Sequence, residues 1–345
     1  MRKLTILGFT LVGLSLPVAA RTEVSVDASN AQAILAEICS GTEISEQQIK
    51  NDTHIQTMLR HFSQFRSYFT MENYIAERRS AALCEKSQQN YFRFNQLVEE
   101  KDKIASFLND VMTQRSPSSE VTAMISPYAP ANLSYEGTAM LMVGTPSCGG
   151  WSAGSTFYVD LPCISDDPKG LLYLIAHESY HGVQATFMQQ TFTPNTPAEL
   201  LNNVLREGSA LHIASFSKIE GGGRYTELSR EQEADNTRRL EQNFELLDMA
   251  VSYLQRHPGE QAYGAANNIG LSGSYGAPFY SVGAKIIETV STSDSQAAVV
   301  CYLEKNPLAL YVRYQEVAEY SDQVPPLGRA LQNYLASVPQ QPECR

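Results

Sequence analysis

The chain has 345 residues, with 26 lysines and arginines against 37 aspartates and glutamates, a formal net charge of −11. That length can bury a full core, as one large domain or as a core with an attached subdomain. An acidic chain with no basic cluster argues against nucleic acid and against anionic membrane surfaces as partners.

The N-terminus reads as an export signal. Arg2 and Lys3 form a charged start, Leu4 to Leu16 is an apolar run too short to span a membrane, and Val18-Ala19-Ala20 offers small residues before a cut at Arg21. Residues 1–20 are therefore expected to be a signal peptide, and the mature chain to be secreted or periplasmic. No cysteine follows the apolar run and no later stretch is long enough to span, so no membrane attachment is expected after cleavage. Six cysteines, an even number in an exported chain, suit up to three disulfides.

Residues 21–115 read as an N-terminal helical region. AQAILAEI, IQTMLRHFSQF, MENYIAERRSAAL and NQLVEEKDKIASFLNDVM each carry apolar residues at three-and-four spacing. His54 and His61, seven apart within it, have no carboxylate geometry to recommend them and are expected on the surface. Ser116-Pro117-Ser118-Ser119 marks a break, and residues 116–345 form a second region.

That region changes character. Thr138 to Val143 and Ser155 to Leu161 are rich in β-formers and enclose the turn-rich TPSCGGWSAG, which predicts a hairpin or a pair of neighbouring strands. Cys148 and Cys163 flank this pair and are the expected disulfide. Cys39–Cys84 and Cys301–Cys344 come next, as the pairs nearest in sequence. The glycine clusters lack a Gly-Lys-Ser/Thr continuation, so a phosphate-binding loop is not expected.

The run LLYLIAHESYHGVQATFM comes next. Asp166-Asp167-Pro168 supplies a carboxylate cap and a proline at the first helical position, and Leu171, Leu174 and Ile175 give a buried face. On this helix His177 and His181 stand one turn apart on one face, so both imidazoles can converge on a single ion. Glu178 lies ~100° round, close enough to touch a water on that ion. Two ligands and a base from one rigid element are the pattern of a zinc hydrolase.

Thr196-Pro197-Ala198-Glu199 then predicts a capped helix running towards Ser217. Its apolar stripe is Leu200, Val204, Leu211 and Ala214, and Glu207 falls on that stripe. A carboxylate on a buried face is costly unless a cation or strong donors pair with it; a salt bridge or an escape to the rim would also satisfy it. The small neighbours Gly208 and Ala210 are expected to let this helix approach the His177 helix closely. Glu199, engaged at the cap, and His212, about 140° round from Glu207, are rival ligands. Further helices are expected near Thr226–Arg256, Ser281–Thr289, Ala297–Tyr320 and Leu327–Ser337.

HESYH followed by Glu207-Gly208-Ser209-Ala210 resembles the gluzincin group of zinc metallopeptidases, which carry HExxH on one helix and a glutamate ligand on a later one. Over roughly residues 120 to 290 the chain looks like uncharacterised bacterial zinc peptidases of that group. The resemblance implies a mainly α fold with a small β-sheet (α+β), zincin-like, with the HExxH helix against the sheet and a glutamate-bearing helix. It implies Zn2+ held by His177, His181 and Glu207, Glu178 as general base, and a peptide or protein substrate. Tyr280, opening a helix after a glycine-rich loop, is the first candidate to stabilise the oxyanion, and Tyr275 the second. Many gluzincins place an acidic residue four positions after the glutamate ligand, where this chain has Leu211. Two other readings stand: a zinc-bound interaction or scaffold protein without turnover, and a hydrolase of a non-peptide amide.

Overall fold

The computed structural model of the chain describes residues 22–146, 148–321, 323–338 and 344; the expected signal peptide at residues 1–20 lies outside the described residues. The described chain begins with a strand that the helical periodicity of the region conceals. In β1 (Thr22–Asp27), Val24 and Val26 are buried and Ser25 is exposed, the period-two alternation of a half-covered strand. Helices α1 (Ser29–Glu37), α2 (Glu46–Asn51), α3 (Thr53–Ser63), α4 (Met71–Ala82), α5 (Phe94–Gln114) and α6 (Pro117–Ile125) come after it. In α3 the Asp52 side chain caps the helix by accepting from His54 N and Ile55 N. Ile55, Met58, Leu59 and Phe62 then form its buried stripe.

Three more strands complete one sheet: β2 (Tyr135–Met142), β3 (Gly150–Ala153) and β4 (Thr156–Asp160), in the order β1-β2-β4-β3. The two strands read from sequence, β2 and β4, are neighbours but run parallel, and β1 runs parallel to β2 on the other side. The hairpin is instead between β3 and β4, turning through Gly154 at φ 62°. Trp151 lies opposite Tyr158 across this pair and stacks on it with ring centroids 5.1 Å apart. His54 and His61 are not simple surface residues. His54 Nδ1 lies 3.2 Å from Tyr158 Oη and the His61 ring stacks over Trp151, so α3 uses both to seat itself on β3 and β4.

The remaining helices are α7 (Pro168–Phe187), α8 (Pro197–Ile213), α9 (Arg224–Arg238), α10 (Leu240–Arg256), α11 (Glu260–Leu271), α12 (Pro278–Ser293), α13 (Gln296–Lys305), α14 (Pro307–Ala318) and α15 (Arg329–Ser337). The fold is mainly α with a small sheet, as expected. Two expected helices are each divided. Pro307 ends one, since it lacks an N–H and bars helical geometry at Asn306, which sits at φ −159° and ψ 85°. The other breaks at Arg239, where no glycine or proline announces it. Helix α11 buries only the small face Ala262, Ala266 and Gly270, too weak a stripe to read from sequence. No described helix is long and apolar enough to cross a membrane.

Three disulfides, Cys39–Cys84, Cys148–Cys163 and Cys301–Cys344, pair the cysteines as the sequence suggests. The second closes a 15-residue separation around β3 and β4, immediately before α7. Replacing both Cys148 and Cys163 by serine is expected to lower stability by ~3 kcal/mol in the chain-entropy view. Chemical denaturation would check this; an unchanged midpoint would show that the bridge contributes nothing there.

One helix crossing fixes where α12 lies against α8. The sequence assigns Gly208 to the contact between α7 and α8, but it faces α12. A Cβ on Gly208 would lie 2.2 Å from the carbonyl carbon of Gly283, and one on Gly283 would lie 2.1 Å from Val204 O. Backbone therefore meets backbone where α8 crosses α12, as only glycine allows. Gly283→Ala is expected to force the helices apart and cost about 1–3 kcal/mol, the usual cost of overpacking. A thermal unfolding midpoint equal to wild type would refute this account of the crossing.

Candidate metal centre

Helix α7 starts where the sequence says it should. Asp167 is fully buried; one oxygen accepts from Gly170 N at 2.8 Å and the other from Thr226 N at 2.7 Å, so the start of α7 is tied to α9. Leu171, Ile175, Ala176, Tyr180 and Val183 fill its buried face, and Gly182 lets it lie against Tyr135 of β2. Helix α8 is capped by Thr196, which accepts from Glu199 N at 3.4 Å. The Glu199 carboxylate reaches back to Asn195 N at 2.7 Å, one residue before the usual partner, and stays at the helix start.

Packed side by side, α7 and α8 bring His177, His181 and Glu207 together, with one ligand atom from each lying within 4.8 Å of the others. Glu207 Oε2 is 3.2 Å from His181 Nε2 and 3.6 Å from His177 Nε2. The side chains are 13, 21 and 25 % exposed in the order His177, His181, Glu207. Burial alone would raise the Glu207 carboxyl, but the two imidazoles beside it outweigh that and hold the group well below the usual carboxylate range. Burial opposes the charge on His181, and Glu207 more than offsets it, so its imidazole is held above its ordinary value. Glu207 Oε2 is nevertheless a buried oxygen without a hydrogen-bond partner.

These residues fit a zinc ion. Nitrogen and oxygen donors at ~2.0–2.1 Å from a tetrahedral ion stand ~3.3 Å from one another, and the two observed separations bracket that value. Two imidazoles and a carboxylate also leave a tetrahedral ion one open position. A second cluster, Cys148, Asp160 and Cys163, does not fit. Its sulfurs are joined in a disulfide, and the Asp160 carboxylate takes the Arg93 guanidinium at 2.8 Å.

A cleft of about 810 Å³ opens beside the cluster, and His177, Glu178 and Tyr280 line it together. The Tyr280 ring lies parallel to the His177 ring, 7° apart with centroids at 6.1 Å. Burial, then the charge of Glu207, pushes the Tyr280 phenol far above its ordinary value, so it remains a hydrogen-bond donor. Tyr275 is 60 % exposed and stands outside the cleft lining. His212 turns away from the cluster: its Nε2 lies 2.9 Å from Tyr128 Oη, and burial, helped by Lys218, lowers its pKa to about 4. Leu211 lines the cleft wall.

Two neighbours carry little signal in the sequence. Tyr225 lines the cleft, its pKa pushed up to about 12 by burial and then by the charge of Glu178. Gln184 is fully buried, with its carbonyl oxygen 2.8 Å from His181 Nδ1. Its position three residues after His181 on the same helix is the only sequence clue, and a glutamine there has many other uses.

A His, His, Glu cluster with a cleft opening beside its His177 defines a site able to hold a divalent metal. The family model described as "Putative zinc dependent peptidase (DUF5700)" matches residues 42–323, and the chain belongs to that family. The matched span contains every residue of the cluster and of its cleft wall. No curated protein and no solved structure matches the chain.

Proposed function

We propose that the chain is an exported peptidase of the gluzincin type, in which His177, His181 and Glu207 hold Zn2+ and Glu178 is the general base. The observation that carries this reading is Glu207 Oε2, buried without a hydrogen-bond partner between two imidazole nitrogens. A buried anionic oxygen without a hydrogen-bond donor is costly, and a cation at that point satisfies it. Bound there, zinc would acidify a water and polarise the scissile carbonyl.

The protein's own groups supply the rest. Glu178, on the cleft wall beside His177, takes the proton of the attacking water and delivers it to the amine nitrogen as the peptide bond breaks. Tyr280 Oη donates a hydrogen bond to the substrate carbonyl oxygen as negative charge gathers on it. The cleft is large enough for a peptide segment. Three disulfides suit a chain that works outside the cytosol.

Tyr280→Phe removes that donor and leaves the ring stacked on His177. It is expected to lower kcat by about 10²–10³-fold with KM little changed, the loss typical of one oxyanion donor. Equal kcat in the variant would reduce Tyr280 to a packing residue. The reading as a whole is tested by incubating the purified mature protein with a mixed peptide library. Cleavage should disappear with a zinc chelator and return with stoichiometric zinc; cleavage indifferent to chelation would overturn it.

A further inference from the structure

We propose that Gln184 is a positioning residue that fixes His181 and the Glu207 turn of α8 relative to one another, a proposal that rests on reading the three residues as a zinc site. Gln184 is fully buried, so its amide must place two N–H donors and one carbonyl acceptor inside the protein. The nitrogen donates to Arg206 O at 2.9 Å and meets Ser209 Oγ at 2.7 Å. Arg206 O can only accept. The Ser209 hydroxyl donates to Leu205 O at 2.7 Å, so towards Gln184 its oxygen accepts as well. The nitrogen end of the amide is therefore locked towards α8, and a flipped amide would set two acceptors against each other.

The carbonyl end is then locked towards His181. Gln184 Oε1 lies 2.8 Å from His181 Nδ1, and because Oε1 only accepts, Nδ1 carries the hydrogen. In a neutral imidazole this leaves the Nε2 lone pair pointing at Glu207 Oε2, 3.2 Å away. Two lone pairs face each other, which is the arrangement a cation resolves. Arg206 immediately precedes Glu207 and Ser209 is two residues beyond it, so the same amide that orients one ligand also holds the backbone around another. A groove between helices would not by itself require this. The geometry assigns Gln184 both tasks.

The test compares two variants of the full mature protein by zinc affinity, measured by chelator competition, and by thermal unfolding. Gln184→Met removes acceptor and donors; Gln184→Glu keeps an acceptor for His181 Nδ1–H but cannot donate to Arg206 O. Both should unfold earlier. Gln184→Met should weaken zinc binding by ~10–100-fold, while Gln184→Glu should stay within ~3-fold of wild type. Equal zinc loss in both variants would make Gln184 a strap between helices and overturn the proposal, as would wild-type affinity in Gln184→Met. If Gln184→Met does not fold, zinc-loaded wild type with 15N-labelled histidine decides: an exchange-protected proton on His181 Nδ1 supports the proposal, and a proton on Nε2 overturns it. A wild-type protein that binds no zinc gives a different result, removing the zinc reading itself.

Discussion

Glu178→Gln is expected to lower peptide hydrolysis by at least ~10²–10⁴-fold while zinc stays bound, because it deletes a proton acceptor and leaves the three-residue cluster intact. The substitution keeps the volume and hydrogen-bonding shape of the side chain on the cleft wall, so the helix and the two histidines beside it should not move. Glu178 is not among the residues whose ligand atoms converge, which is why the two readouts should separate. Steady-state cleavage of a library-derived peptide, with zinc content measured on the same sample, checks this. Activity near wild type would remove Glu178 from the role of base. Zinc lost along with activity would mean that it ligates.

Glu207→Ala should have the opposite profile, losing zinc and activity together. The carboxylate supplies the only oxygen donor of the cluster, and its removal leaves His177 and His181 as two ligands with no charge to balance a dication. The fall in zinc affinity should exceed the ~10–100-fold typical of losing a residue that merely supports a ligand. Two controls sharpen the result. Glu199→Ala removes a bond to Asn195 N and should cost only the stability of a helix start, about 0.5–1 kcal/mol, with zinc retained. His212→Ala should also retain zinc, since that imidazole faces Tyr128. Zinc lost from His212→Ala but kept by Glu207→Ala would require a different ligand set.

What could be read from the sequence was whatever depends on near neighbours along the chain. The spacing of His177 and His181, the Asp167-Pro168 start of α7 and the Thr196 cap of α8 are all properties of one helical turn, and the structure forms each of them. Glu207 stood out because a carboxylate on an apolar stripe needs a partner. What the sequence hid depends on distant pairing. The parallel placing of β1 beside β2 and of β2 beside β4 cannot be deduced from strand composition, which leaves a hairpin and a pair of neighbouring strands both open. Nothing near Gly208 in the chain names Gly283, so its small size points equally to the α7 contact, yet the crossing with Gly283 is what carries Tyr280 to the cluster. Gln184 was invisible for a related reason: its importance comes from Arg206 O and Ser209 on another helix. His54 and His61 likewise carry no signal of their own, and only the sheet beneath them shows why they are half-buried.

X-ray absorption at the zinc edge of the purified mature protein tests the central claim most directly. A first shell of nitrogen and oxygen at ~2.0–2.2 Å, two of its members showing imidazole scattering, with no sulfur, is the predicted result. Sulfur at ~2.3 Å would place the metal with the cysteines and contradict the assignment of His177, His181 and Glu207.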